Sequence, residues 1–254
     1  MKKLLIRADD IGYSEAVTAG ILSALESGLV KSAGLMVNMP FTEKSVELIK
    51  DRTDICFGLH VNLVIGPACC QDREAVKDLV DSQGRFIASR IRREEFARGL
   101  DSMPYAQVCR EIEAQAERYE ALMGRRPEYM DLHGVENDTL IQAVRDMAER
   151  CGVPATPYSG QTILLEEMLH HDFYESGEAF EAFFSKPCCR IQEGVNNLLI
   201  MHPGFVDYDL LQSSSLTMDR VYEHALLCDP KVKECLKRQQ VELLSFRDLQ
   251  RQGE

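Results

Sequence analysis

Apolar residues fall along the chain in two alternating patterns. Short continuous runs read as buried strands, and stretches with apolar positions three and four apart read as helices. Residues 3–8 (Lys-Leu-Leu-Ile-Arg-Ala) predict a first strand. Ser14 follows as an N-cap for a helix over 15–27, with Val17, Ile21, Leu22 and Leu25 on one face and Gly28 as its stop. Residues 32–38 predict a second strand, Thr42 caps a helix to about Lys50, and 55–63 predict a third strand. The stretch 64–90 has no clean period and reads as a long loop, a feature often tied to function in compact domains. Residues 91–123 read as helix in two pieces, broken near Met103-Pro104. Strands at 127–133 and 153–158 flank a helix over 138–151, and 163–186 reads as mixed and mostly helical. The strongly apolar run 197–201 is a strand, followed by helices at about 215–227 and 230–239, a strand at Val241–Leu244 and a terminal helix.

Strands alternating with helices imply parallel pairing, with helices covering the sheet. About seven strands, no linker and no internal repeat predict an α/β chain forming one domain over 1–254. A closed or nearly closed (β/α) barrel is the economical architecture, with a doubly wound open sheet as the alternative; 254 residues is a usual barrel size. Hydrophobic residues make up 45% and charged residues 28%, enough for a core and unlike a disordered chain. With 29 Lys plus Arg against 41 Asp plus Glu, the net charge is −12, which disfavours nucleic acid and anionic membrane surfaces as partners. A neutral or cationic small molecule fits better. No apolar run approaches the ~20 residues of a membrane span. Leu4-Leu5-Ile6 is too short for a signal-peptide core, so the chain reads as cytoplasmic. The nine cysteines are odd in number and lack Cys-x-x-Cys spacing. Cys69-Cys70 and Cys188-Cys189 are adjacent, where a bridge would be strained, so free thiols packed as small apolar groups are expected.

Candidate chemistry appears at the ends of the strands, where β/α folds gather their sites. The first strand runs into Asp9-Asp10, the second ends in Asn38, and the third carries His60 and Asn62. The strand at 127–133 ends in Asp131-Leu132-His133, and the run at 197–201 ends in His202-Pro203-Gly204. Each signal alone has an ordinary structural reading. Asp9-Asp10 could complement a helix dipole, His60 could be a satisfied core histidine, and Asn38 and Asn62 are best read as loop caps. The acidic pair and three histidines falling on one edge are what point to a site. A carboxylate with two imidazoles makes a facial metal site with open positions, which Asp10, His60 and His133 could supply. Asp9 could then act as base and His202 as acid in hydrolysis of an amide or ester.

Arg7-Ala8-Asp9-Asp10-Ile11-Gly12-Tyr13-Ser14 resembles the opening motif of the YdjC-like (ChbG-type) carbohydrate deacetylases. Leu35–Pro40, Gly58–Leu63, Asp131-Leu132-His133 and His202-Pro203-Gly204 resemble four further motifs in order, so the similarity runs from residue 3 to about 206. The sequence departs from the usual motifs at Arg7, where a small or amide residue is usual, and at Gly134-Val135-Glu136, where a further histidine or glutamine is usual. The resemblance implies a distorted (β/α) barrel of the polysaccharide-deacetylase type. It also implies hydrolytic removal of N-acetyl groups from an amino sugar, such as a chitooligosaccharide. It places Asp10, His60 and His133 as metal ligands, Asp9 as general base and His202 as general acid. It implies a divalent metal, magnesium first and zinc second, and a homodimer. A metal-dependent lyase or isomerase, and a non-catalytic sugar-binding relic, are the alternatives.

Overall fold

The computed structural model describes residues 1–155, 162–164 and 191–250. The expected strand at 153–158 and helical stretch at 163–186, with His170, His171 and the Cys188-Cys189 pair, fall mostly outside those residues.

Seven strands are described: β1 (Lys2–Ile11), β2 (Ser32–Leu35), β3 (Cys56–Val61), β4 (Met130–Leu132), β5 (Thr162–Leu164), β6 (Asn196–Met201) and β7 (Val241–Leu244). They form one parallel sheet in the order β4-β3-β2-β1-β6-β5, curled into an open half-barrel, with β7 also on β1. β1 is the hub. β6 runs along one edge of it over Lys3–Ala8. The other edge is divided between β7, beside Lys2–Leu5, and β2, beside Arg7–Ile11. The chain builds outward from β1 through β4, then crosses to the other side for β5 and β6. The C-terminal end of β1 is therefore the switch point, where α/β sheets open a crevice.

The period of the strand sorts β1 into two faces. Leu4, Ile6 and Ala8 join the large core between sheet and helices. Leu5 faces the inside of the curl, packed with Cys56, Tyr129, Leu198, Leu244 and Phe246. Arg7 and Asp9 share the parity of Leu5, so they continue its face toward the C-terminal mouth.

The helices are α1 (Glu15–Leu25), α2 (Thr42–Ile49), α3 (Ser89–Ala97), α4 (Tyr105–Met123), α5 (Asp138–Cys151), α6 (Tyr208–Ser213), α7 (Met218–Cys228), α8 (Pro230–Arg238) and α9 (Phe246–Gln250). Ser14 caps α1 by accepting from the Val17 N–H, as its sequence position predicts. The break between α3 and α4 falls before Pro104, also as expected. Two elements differ. Residues 162–164 are a strand paired with β6 rather than part of a helix. α6 has six residues, too few for a helical period to show.

α1 and the turn after β6 meet without side chains between them. A Cβ placed on Gly20 would lie 2.5 Å from Gly204 Cα and 2.6 Å from its carbonyl carbon. Alanine normally gains ~0.5–1 kcal/mol over glycine inside a helix. Here the obstacle is backbone, which cannot swing aside, and overpacking costs ~1–3 kcal/mol. Gly20→Ala is therefore expected to lower the melting temperature, by ~2–4 °C per kcal/mol lost. A melt at or above the parent's would show that this contact is not tight.

Candidate active site

The polar strand ends converge, and a fault in the sheet makes this possible. In a regular strand Asp9 and Asp10 would point to opposite faces. The β1–β2 register removes that alternation: Ala8 pairs with Ala33 and Ile11 with Leu35, so β1 uses three steps where β2 uses two. Asp10 lies within this bulge at φ 81°, a left-handed conformation that Asp tolerates better than most residues. Both carboxylates consequently come within reach of His60.

Asp10 Oδ1 lies 3.1 Å from His60 Nε2 and 2.9 Å from His133 Nδ1, and the two nitrogens are 3.1 Å apart. Donors held ~2.1 Å from a common ion at right angles stand about 3 Å from one another, so this triangle fits one face of a metal's coordination sphere. Asp10 Oδ1 is buried and faces two imidazole nitrogens rather than a fixed N–H donor, which leaves it open to a cation.

The surrounding groups fix the orientation of these donors. His60 Nδ1 lies 2.8 Å from Asp131 Oδ2. Donation from Nδ1–H to that carboxylate leaves the Nε2 lone pair facing the cluster, as in metal-bound histidines. One nitrogen of Arg7, Nη2, lies 2.6 Å from both Asp131 Oδ2 and Asp9 Oδ2. Arg220 Nη2 lies 2.6 Å from Asp10 Oδ2, occupying the second oxygen while the first stays available. Arg7, Asp9, Asp10, His60, Asp131 and Arg220 are all buried.

The charges are strongly coupled. Burial raises the Asp10 carboxyl pKa, but His133 and Arg220 outweigh it and hold the group well below the usual carboxylate range. Burial lowers the His60 pKa, but Asp131 and Asp9 outweigh it and hold the imidazole well above its ordinary value. A cation held by these three groups would compete with protons for the same lone pairs. His202 behaves differently. It is half-buried, and loss of solvent pulls its pKa down to about 4, against the attraction of Asp10 and Asp9. Its backbone N–H donates to Glu223 Oε2 in a short hydrogen bond. Burial pushes the Glu223 carboxyl up to about 7.

Beside the cluster lies a cavity of about 1420 Å³, larger than the usual small-molecule site. Tyr13 joins the two: it lines the cavity, and its ring centroid is 6.4 Å from that of His133. The loop after β3, predicted from its missing period, supplies one wall through Ile65–Arg73 and Arg85. Asn38 and Asn62 serve that loop, as their cap reading anticipates. Asn62 Oδ1 accepts from the Val64 and Ile65 N–H groups, and its amide donates to Asn38 Oδ1 and Ile65 O. The Glu111 carboxylate accepts from the backbone N–H groups of Cys69 and Cys70. Cys69, Cys70 and the five other described cysteines are free thiols.

The structure thus brings Asp10, His60 and His133 together, sets Asp9 within 4.8 Å of His60, and places His202 within electrostatic reach of Asp9, Asp10 and His60. Asp131, Arg7, Arg220 and Glu223 also belong to the site, although sequence reading gave them no role. Arg7 and Asp131 stand within the motifs that carry the family resemblance. Arg220 and Glu223 share the buried stripe of α7 with Leu226 and Leu227, and charged residues on an apolar stripe are the signal that could have found them.

A carbohydrate deacetylase of Geobacillus stearothermophilus is 32% identical over 252 residues, covering 96% of each chain. The crystal structure of an Enterococcus faecalis V583 protein, provisionally described as a cellobiose-phosphate cleavage protein, matches with a TM-score of 0.80 at 25% identity, over 98% of both chains. A CE4-family pseudoenzyme of Bacillus anthracis shares the fold alone, with a TM-score of 0.50 at 10% identity, over 98% of this chain and 66% of that one. Residues 3–238 match the family model described as YdjC-like protein, and the chain belongs to the YdjC-like family.

Proposed function

We propose that this protein is a metal-dependent deacetylase that hydrolyses the N-acetyl group of an amino sugar. The observation that carries the reading is the triangle of Asp10 Oδ1, His60 Nε2 and His133 Nδ1 beside a large cavity. These three residues would hold one divalent ion. When bound, it would polarise the acyl carbonyl and make water a stronger nucleophile. Two nitrogen donors suit zinc, and the family resemblance implies magnesium; both belong in the assay.

The chain's own groups supply the proton transfers. Asp9 Oδ1 is buried and without a hydrogen-bond partner among the described residues, while Arg7 holds Oδ2. Its free oxygen is the acceptor for the proton of the attacking water, and Arg7 fixes its direction. His202 faces the same cluster and hands a proton to the departing amine. Burial holds its pKa down to about 4, so its ring rests uncharged, and the proton it delivers is the one Asp9 has taken from the attacking water. The cavity beside Tyr13 receives the sugar. Met39, Pro67 and Ala68 in its lining suit a pyranose face, and Gln212 and Ser213 offer partners for hydroxyls.

Purified protein stripped of metal should release no acetate from N-acetylated sugars and should regain activity with magnesium or zinc. His60→Ala should abolish that gain. Undiminished acetate release in chelator would reject the metal-dependent reading. Asp9→Asn should bind metal as the parent does and lose ~10²–10⁴-fold in kcat, the usual contribution of a positioned acid or base. Near-parental turnover in that variant would remove Asp9 as the base.

A further inference from the structure

Helix α7 carries two buried charged residues one turn apart, Arg220 and Glu223, each reaching the end of a different strand. Arg220 Nη2 binds Asp10 Oδ2 at 2.6 Å at the end of β1. Glu223 accepts the backbone N–H of His202 at the end of β6. A third link joins the same helix to the same turn, since the Gly204 N–H donates to Arg220 O at 3.1 Å. Arg220 is itself fixed: its Nε donates to Leu216 O at 3.0 Å, and its guanidinium carbon lies 5.6 Å from the Tyr13 ring centroid.

We infer that α7 is a brace that sets the reactive geometry of two strand ends, with Arg220 and Glu223 as positioning residues for Asp10 and His202. The inference rests on the deacetylase reading for its kinetic consequence, but not for its metal-binding one. Burying a guanidinium and a carboxylate on a helix stripe is costly unless each has a specific partner. The partners here are the carboxylate of Asp10 at the end of β1 and the backbone N–H of His202 at the end of β6. Asp10 sits at a positive φ, a state that persists only when its surroundings over-determine it. Its carboxylate would also be free to rotate about its own bond. Arg220 takes one oxygen and so presents the other toward His60 and His133. His202 begins the turn after β6. Glu223 fixes the direction in which its side chain leaves the backbone. Because both contacts come from one rigid helix, α7 sets the spacing between the metal face and the proposed acid.

Two readouts separate this role from ordinary packing. Zn²⁺ titration by calorimetry needs no substrate. Arg220→Met should weaken Zn²⁺ binding by ~10–100-fold, the usual cost of losing a partner that orients a ligand. Arg220→Lys, which keeps the charge, should restore part of the affinity. Glu223→Ala should leave Zn²⁺ affinity near the parent's and lower kcat with little change in KM. Glu223→Gln, which keeps an acceptor oxygen, should recover much of that kcat. Circular dichroism and thermal melts establish that each variant is folded. Folded Arg220→Met with Zn²⁺ affinity within twofold of the parent would overturn the brace, even if the parent proves to be an active deacetylase. Parent protein that releases no acetate from any sugar would refute the deacetylase reading, while the Zn²⁺ arm would still decide whether Arg220 positions Asp10.

Discussion

One additional residue in β1 is the constraint on which the site depends. Without the bulge, the even positions of β1 would face the helix layer, and Asp10 would follow Leu4, Ile6 and Ala8 away from the mouth of the curl. The bulge turns Asp10 to the side already occupied by Arg7 and Asp9, and its φ of 81° is the local consequence. Backbone in such a region typically costs ~1–3 kcal/mol and needs support from around it. Two adjacent carboxylates on one side then create a second requirement, since like charges this close must be offset.

That requirement explains the remainder of the cluster. Asp9, Asp10 and Asp131 are met by Arg7 and Arg220, with His60 between two of the carboxylates. Three acids against two guanidiniums leave a negative remainder. A divalent ion held by Asp10, His60 and His133 would offset it. Buried ion networks of this kind are poor sources of stability, because desolvation consumes most of the Coulombic gain. The stabilising work is done elsewhere on the same strand. Leu5 and its neighbours Leu198, Leu244, Tyr129 and Phe246 fill the curl below the charges, and the helix-facing residues fill the layer behind it. β1 is thus apolar toward its start and ionic at its end.

The cavity wall follows a similar division. The long loop after β3 is folded on itself by a 3-10 turn at Glu74–Val76 and by backbone bridges of Pro67 with Arg85 and Val80 with Phe86, and side chains tie it to its surroundings. Asn38 and Asn62 satisfy its first turn, and buried Glu111 accepts two consecutive backbone N–H groups from Cys69 and Cys70. Satisfying backbone groups by side chains in this way rigidifies structure whose own backbone pairing is sparse.

Much of this was legible in the chain. Strand and helix periods located β1, β3, β6, β7 and most helices to within a few residues, because burial on a sheet or a helix face leaves a repeating apolar mark. The same patterns placed Asp9, Asp10, His60, His133 and His202 at one edge, because parallel strands put their C-terminal ends together. The six-residue α6 and three-residue β5 were too short to leave a period. Arg220 and Glu223 were invisible for a different reason: they lie about 210 and 20 residues from Asp10 and His202 respectively, and no local pattern encodes which strand end a helix will face. The sequence by itself determined the parallel architecture and the chemical inventory of the mouth, since both follow from hydrophobic period and residue type. Only the tertiary structure decided that Asp10 turns inward at a bulge, that Arg7 joins Asp9 to Asp131, and that α7 holds two strand ends, because those depend on register and long-range packing rather than on neighbours along the chain.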